Sequence, residues 1–437
     1  MTARDAIEWL DGVPDQWLQQ RLKGIFRDDT RSLSIEQLNG LEVHHYSIPN
    51  FDDLGAPAIE DGATIASNKT LLHGGEILFS KLNCHKPRVW LVPIDEQIKV
   101  ASTEFIPLSE WHSGSIDKTY FTFLLGSQVF IEYMTCFQTS VTNSHRRINP
   151  NDLWQTPIPL PSLAEQRAIA AYLDRSCAAI DAAIAAKRGQ IESLNELAAS
   201  IVLKAVTQGL DSSCPTTVTG LDWSPSAPAH WQIKQIKRMA TLARGQFTHR
   251  PRNDPALYDG PYPFIQTGDI TAADKYIRSY SQTLNEAGLS VSKMFPSGTL
   301  VMSIAANIGD VAILDFDACF PDSMIGMIPH AKTDLHYLYY LMRAMKPIML
   351  RSAVLSTQLN INYVRIGTNF AAFPPYSEQK EIALYLEKKE GELSATKRIL
   401  AKQIDTLLAY RKSLIHECVT GQRRLASADF TESQSHA

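Results

Sequence analysis

Two long stretches of this chain place apolar side chains in alternating steps of three and four. The first runs Leu173, Cys177, Ile180, Ile184, Lys187, Ile191, Leu194, Ala198, Ile201 and Ala205. The second runs Leu386, Glu390, Leu393, Lys397, Leu400, Ile404, Leu407, Arg411, Leu414 and Cys418, with leucines every seven residues from 386 to 414. Such spacing gathers the apolar groups on one stripe, the a/d seam of a coiled coil. Neither stretch holds an internal proline, so each predicts a helix of about 45 residues, roughly 65–70 Å long at 1.5 Å per residue. Gly189 and Gly391 are single weak points, each costing about 1 kcal/mol against alanine. A striped helix of this kind is not stable alone in water. Pairing the two buries about eight apolar side chains per helix, at ~1.5–3 kcal/mol each, and that outweighs the polar interruptions. The alternative is two surface helices, each packed on its own domain.

The two stretches are copies. About fifty residues from Pro161 realign without a gap on the stretch from Pro374, 213 positions later. Pro161, Glu165, Gln166, Ile169, Tyr172, Leu173, Gln190, Ser200, Val206 and Thr207 meet Pro374, Glu378, Gln379, Ile382, Tyr385, Leu386, Gln403, Ser413, Val419 and Thr420. A period this long implies two copies of a whole domain-plus-helix unit. A pseudo-two-fold repeat sets its copies head to tail, so the helix pair is expected to be antiparallel. The first helix opens on Ser162-Leu-Ala-Glu165, a capping-box pattern; Pro375 replaces that serine in the second copy. The helices end near Gly209 and Gly421.

The predicted domains are therefore 1–160, a central helix over 161–210, a second domain over 211–372, a C-terminal helix over 373–425 and a frayed tail over 426–437. A polar, proline-rich link is expected from Asp211 to Pro228. The globular parts repeat more faintly: Val13-Pro-Asp-Gln-Trp17 matches Ala227-Pro-Ala-His-Trp231, and Gly75-Glu-Ile-Leu-Phe-Ser80 matches Gly298-Thr-Leu-Val-Met-Ser303. Short β-branched runs (Ile77–Phe79, Val89–Val92, Val311–Leu314) alternate with helical stretches (Tyr120–Gln138, Leu335–Leu350), which predicts an α+β class. The frame repeats and the interior does not, as expected if each half reads something different.

At 437 residues and 44% hydrophobic, the chain can bury several cores. No apolar run approaches a membrane span, and the N-terminus lacks a secretory pattern. Six scattered cysteines without a CxxC fit reduced thiols in a cytoplasmic protein. Net charge is −4, with −7 over residues 1–160 and +3 over 213–372. A nucleic-acid partner must then be met by a local basic face or with help from another protein. GxxxxGK[ST], HExxH, GxSxG and EF-hand patterns are absent, so ATP, zinc, calcium and serine-nucleophile chemistry find no motif. Phe373-Pro-Pro-Tyr376 resembles the Asp/Asn-Pro-Pro-Tyr motif of amino-methyltransferases. Phenylalanine cannot supply that motif's hydrogen-bond acceptor, and the segment reads as a domain-to-helix joint.

Pro-x-x-x-Glu-Gln-x-x-Ile-x-x-x-Leu before a long helix, twice and each ending near Val-Thr, resembles the specificity subunit of type I restriction–modification systems. Gly75–Lys81, Ala101–Phe105, Tyr262–Ile270 and Asn307–Asp310 are similar to segments of that family's target-recognition domains. The resemblance covers nearly the whole chain. It implies two α/β target-recognition domains in pseudo-two-fold arrangement, separated by a long antiparallel two-helix coiled coil. It implies a non-catalytic subunit in which each domain reads one half of a bipartite double-stranded DNA sequence. The helices would set the spacer and dock methyltransferase subunits, two of them, with restriction/translocase subunits joining that core. This chain would bind no cofactor or metal itself; S-adenosylmethionine, ATP and Mg would sit on partner subunits.

Reading bases requires Arg, Lys, Asn, Gln, Ser or Thr at base edges. In the first half the candidates are Lys81, Asn83, His85, Lys86 and Arg88, with His145, Arg146 and Arg147. In the second they are Arg244, Gln246, Thr248, His249, Arg250 and Arg252, then Gln266, Thr267, Gln358 and Asn360. The Arg244–Arg252 cluster stands out because its cations surround Gly245, which would let backbone approach a phosphate. Tyr258, Tyr262 and Tyr280 read as scaffold. Any one candidate taken singly reads first as a solvated loop side chain. Two rivals stay open: a coiled-coil scaffold that binds only proteins, and a self-contained restriction enzyme, for which no catalytic residues are found.

Overall fold

The computed structural model describes residues 9–10, 12–139, 146–305, 307–354 and 363–425. The chain divides into two compact units, 1–187 with 401–437, and 188–400. The division falls inside both long helices, Leu163–Gln208 and Tyr376–Val419, so each unit holds one globular part and half of each helix. The proposed tail 426–437 lies outside the described residues.

In the first unit, Arg411 Nε meets Asp181 Oδ1 at 3.0 Å and Lys187 Nζ meets Gln403 Oε1 at 2.6 Å. A later residue on one helix meets an earlier one on the other, so the halves run antiparallel. In the second unit Lys397 Nζ donates to Asn195 Oδ1 at 3.0 Å, while Val202 and Ala205 share a core with Ile382 and Leu386, again antiparallel. The apolar stripe is the buried one. Leu173, Cys177, Ile180, Ile184, Leu386, Ile404, Leu414 and Cys418 are buried, while Ile191, Leu194, Ile201, Leu393, Leu400 and Leu407 are half-buried. The polar interruptions Lys187, Lys397 and Arg411 each reach a partner on the opposite helix, and polar seam residues that pair in one register disfavour the others. Glu390 turns to its own globular part, accepting from Tyr340 Oη at 2.9 Å and from the Arg343 guanidinium.

The repeated residues hold each helix start to its domain. Ser162 and Glu165 close the capping box, Glu165 N–H donating to Ser162 Oγ at 3.3 Å and Ser162 N–H to Glu165 Oε2 at 3.0 Å. Trp17 Nε1 donates to Glu165 Oε1 at 3.4 Å, and Trp231 Nε1 to Glu378 Oε1 at 3.0 Å. Gln166 is buried; its Nε2 donates to Pro161 O at 2.9 Å and its Oε1 accepts from Asp117 N at 2.9 Å. Gln379 repeats this with Pro374 O at 2.9 Å and Asp334 N at 2.8 Å, and adds Lys332 O at 3.1 Å. Asp117 and Asp334 in turn cap the helices Lys118–Gly126 and Leu335–Ala344. The first turn of each of those helices carries a buried tyrosine. Tyr120 Oη lies 3.3 Å from Val419 O, and Tyr337 Oη lies 3.4 Å from Val206 O. Each domain thus grips the start of one long helix and the end of the other. The helices stop at Gly209 and Gly421, both with φ near the left-handed region at 72° and 74°.

The first globular part has a five-stranded sheet, with Arg31–Leu33, Lys69–Leu72, Lys99–Ala101, Glu42–Tyr46 and Ala58–Asp61 in spatial order. A four-stranded sheet orders Phe26–Arg27, Phe105–Glu110, Ile77–Ser80 and Val89–Leu91. The second globular part orders Ala240–Arg244, Met324–Pro329, Leu300–Ser303, Val311–Leu314 and Tyr276–Ile277 in one sheet. Gln282–Leu284, Tyr258–Phe264, Ala318–Cys319 and Met294–Phe295 form another. Two sequence expectations are corrected. The proline-rich link is a β-hairpin, Thr216–Leu221 paired with Ser224–Pro228, because Pro228 and Pro225 fall where an edge strand tolerates them. The helical stretches are each split, after Gly126 by Ser127, which caps Gln128–Thr135, and after Ala344 ahead of Pro347.

Among the described residues, each unit holds one half-buried histidine whose charged form is disfavoured. His45 Nδ1 lies 3.0 Å from Glu60 Oε2, while its buried Nε2 meets no partner among the described residues. Burial depresses its pKa in spite of Glu60, and burial followed by Lys275 depresses that of His336. A folded pKa below the unfolded value means the unfolded chain takes the proton first. The stability contribution is complete above about pH 6.5 and is lost as pH falls toward the folded value. Thermal midpoints should therefore decline between neutral and mildly acidic pH, and His45→Gln should flatten that slope. An unchanged slope in the variant would assign the effect elsewhere.

Candidate nucleic-acid interface

In the first unit, two clusters far apart in sequence form one surface. Asn83, in the left-handed region at φ 50°, donates its N–H to Arg146 O at 2.7 Å and accepts from Arg146 N–H on Oδ1 at 3.1 Å. Asparagine is among the residues that adopt this conformation most readily. Ile148 N–H donates to Lys81 O at 3.1 Å, and Leu82 bridges Arg147. His85, Lys86 and Arg146 are exposed on this surface and Lys81 is half-exposed. Arg147 is exposed too, but Glu104 holds it through two bonds of 3.0 and 2.8 Å. His145 lies outside the described residues.

Arg88 is placed otherwise than expected. It is 4% exposed, and its Nε and Nη2 grip Asp52 at 2.7 and 2.6 Å while Nη1 donates to Leu82 O at 3.3 Å. The Arg88 guanidinium holds the Asp52 carboxyl below the usual carboxylate range. With all three nitrogens engaged, Arg88 shapes the loop that carries Lys81 to Lys86 and presents nothing to a base. The acidic balance of this half is partly internal: Asp52 and Glu104 are spent on the arginines beside this surface.

In the second unit the arginines converge on one aspartate, which the sequence did not single out. Arg244 Nε donates to Asp322 O at 2.6 Å, Arg252 Nη2 meets Asp322 Oδ1 at 2.6 Å, and Arg250 Nη2 lies 4.0 Å from Asp322 Oδ2. Arg250 Nη1 also donates to Phe247 O at 2.8 Å, and His249 Nε2 lies 3.1 Å from Asp254 Oδ2. Gly245 is needed for a different reason than a ligand's approach. A Cβ there would collide with the carbonyl oxygens of Phe320 and Pro321, so the close backbone neighbour is the chain itself. Gln246 and Thr248 are exposed on the segment that follows.

Beside the arginines lies a concavity of about 470 Å³ floored by Phe247, Tyr258 and Phe264 and rimmed by Arg252, Asn253, Gln266 and Gln282. Gln266 Nε2 donates to Gln282 Oε1 at 2.9 Å, and Gln266 N–H donates to Asp269 Oδ2 at 2.7 Å, opening the helix Thr267–Ala272. Thr267 is half-buried as its first residue. Asn253 and Gln282 were missed because single polar residues in loops carry no periodic signal. Asp322 had only the turn pattern Pro-Asp-Ser. Of the three tyrosines, Tyr258 donates to Arg252 O, Tyr262 to Glu286, and Tyr280 packs on Phe316 at 5.2 Å. Gln358 and Asn360 lie outside the described residues. Asn307 and Asp310 meet at Thr271, with Lys346 Nζ 2.5 Å from Asp310 Oδ1, and they anchor a turn. Among the described residues no group of three His, Cys, Asp or Glu is arranged to hold a metal ion, and no helix is long and apolar enough to cross a membrane.

Two units on one plan, each a mixed-sheet domain with a loop-borne polar and cationic surface, mounted on antiparallel halves of two shared helices, define a tandem-repeat protein of two like units. Residues 228–403 match the type I restriction modification DNA specificity domain. Over 444 aligned residues, the chain is 24% identical to a Methanocaldococcus jannaschii protein assigned as the MjaX type I restriction enzyme specificity subunit, covering 94% of this chain and 95% of that one. Its fold is similar to a chain solved in work on complex assembly and conformational transition of a type I R-M system. That match has a TM-score of 0.74 at 18% identity and covers 94% and 99% of the two chains. The HsdS subunit from Thermoanaerobacter tengcongensis matches with a TM-score of 0.53 at 18% identity, over 94% and 98%. Along nearly its whole length the chain is similar to type I restriction–modification specificity subunits.

Proposed function

We propose that this chain is the DNA-reading subunit of a type I restriction–modification complex. Each unit reads one half of a split double-stranded sequence, and the chain itself contributes no catalytic group. The observation that carries this is the contrast within a repeated frame. The helix mounts use the same tryptophan, glutamate, glutamine, aspartate and tyrosine in both units, whereas the loop surfaces differ: a lysine- and histidine-bearing clip in one, an arginine-rimmed concavity in the other. Identical mounts with different surfaces suit a bipartite target. Two methyltransferase subunits dock on the helices, restriction/translocase subunits complete the assembly, and S-adenosylmethionine, ATP and Mg²⁺ belong to those partners. The exposed stretches of both helices leave room for such docking.

The test is a ruler experiment. Four residues added to the central helix lengthen it by ~6 Å, close to two base pairs at ~3.4 Å each. Mapping methylation in cells carrying the variant system should show both half-sites kept and the spacer changed. Altered half-sites with an unaltered spacer would defeat the proposal. Sequence-blind, salt-insensitive binding by the complex would favour the protein-only scaffold.

A further inference from the structure

A second basic concavity, of about 550 Å³, lies in the second unit at the base of the C-terminal helix. His230, Lys234, Arg238, His330 and Lys332 line it, over Phe373, Pro374, Pro375 and Tyr376. Lys234, Arg238 and Lys332 form no ion pair among the described residues. Lys234 instead lies 5.9 Å from the Phe373 ring centre. His230 is engaged by Glu378 at 2.8 Å, and His330 by Arg238 O and Thr241 Oγ1, both at 3.1 Å.

The repeat makes this pocket informative. Trp17 and Trp231 occupy the same place, as do the strands Leu18–Arg21 and Gln232–Gln235, which pair with Pro157–Leu160 and Phe370–Phe373. Counting from them, His230, Lys234 and Arg238 correspond to Gln16, Gln20 and Gly24. Counting back from the capping aspartates Asp117 and Asp334, His330 and Lys332 correspond to Ser113 and Ser115. All five positions are uncharged in the first unit. The frame therefore does not require these cations, and a partner that used the frame alone would bind both units alike.

The pocket is also separate from the arginine cluster. Ala240–Arg244 pairs with Met324–Pro329 so that Ala240 faces Pro329 and Arg244 faces Ile325. Arg238 and His330 sit at one end of this ladder, Arg244 and Asp322 at the other, about 15 Å away by strand rise. A concavity of this size with an aromatic and proline floor admits a peptide segment rather than a double helix, and its unpaired cations select carboxylates.

We propose that this pocket docks an acidic segment of a protein partner, at one site per chain. The partner's carboxylates meet Lys234, Arg238 and Lys332, and its apolar side chains meet the exposed ring of Tyr376 and the prolines beside it. The experiment titrates the full chain with labelled poly(Glu,Tyr) copolymer, and separately with a random-sequence duplex and inorganic phosphate. Wild type should bind the copolymer saturably at one site. The pair Lys234→Gln with Lys332→Ser, which installs the first unit's own residues and so suits the frame, should weaken that binding at least tenfold. The charge reversal Lys332→Glu should do likewise, with thermal midpoints confirming that both variants fold. Duplex binding should be unchanged. No saturable copolymer binding, two equivalent sites per chain, or copolymer binding unchanged by the substitutions would overturn the proposal. So would a parallel loss of duplex binding, which would assign the pocket to phosphate, or competition by inorganic phosphate as strong as by copolymer. The DNA-reading function stands or falls separately, on the ruler experiment.

Discussion

Replacing Gln379 by leucine should lower the stability of the second unit by about 3 kcal/mol, the scale set by leaving buried hydrogen-bonding groups without partners. The side chain is 1% exposed and satisfies three main-chain groups, Asp334 N–H, Pro374 O and Lys332 O. Leucine has similar bulk and supplies none of those bonds. The N-terminus of the helix Leu335–Ala344 and the joint into the C-terminal helix both lose their tie. Chemical denaturation should show an earlier transition, while Glu381→Ala on the exposed face of the same helix should stay within ~0.5 kcal/mol of wild type. Gln166→Leu should do the same to the first unit, somewhat less, because it ties two groups rather than three. Equal stability of Gln379→Leu and wild type would show that the repeated glutamine is not what joins domain to helix.

The second large effect concerns binding. Arg252→Ala should weaken binding to the recognised duplex by roughly tenfold or more, on the ~1–3 kcal/mol scale of a lost specific contact, and reduce the salt slope by about one if it meets a phosphate. Arg252 is exposed, anchored through Nη2 by Asp322, and stands on the rim of the aromatic-floored concavity. Gln266→Ala and Gln282→Ala should act differently. Amide side chains pair bidentately with adenine, so each should relax discrimination at one half-site and leave the other untouched. Titrations against duplexes altered in one half at a time separate these outcomes. A uniform loss over all sequences from the glutamine variants would remove them from base reading.

The repeat explains why so much of the frame was legible. A seam needs only the spacing of apolar groups, and the positions from Leu173 to Ile201 and from Leu386 to Leu414 are the less exposed ones on their helices. Glu165, Gln166, Glu378 and Gln379 announced themselves by recurring, although what they hold did not. Tyr120 and Tyr337, with Asp117 and Asp334 ahead of them, recur too. They escaped because the segments on both sides of them differ in length, which shifts the match to 217 positions. The pattern Asp-x-x-Tyr opening an aromatic helix was the available signal.

The site was less legible, and Arg88 and Gly245 show why. Nothing near Arg88 in sequence says that Asp52 takes its guanidinium, and nothing near Gly245 says that Phe320 and Pro321 press against it. The sequence by itself determined the repeat, the two helices, their seam and their caps, because these depend on neighbours within a few residues or on periodicity along one element. Only the tertiary structure decided which polar side chains remain available to a ligand. Availability depends on burial and on partners tens of residues away, and the gathering of Arg244, Arg250 and Arg252 on Asp322 is set by the folded chain alone.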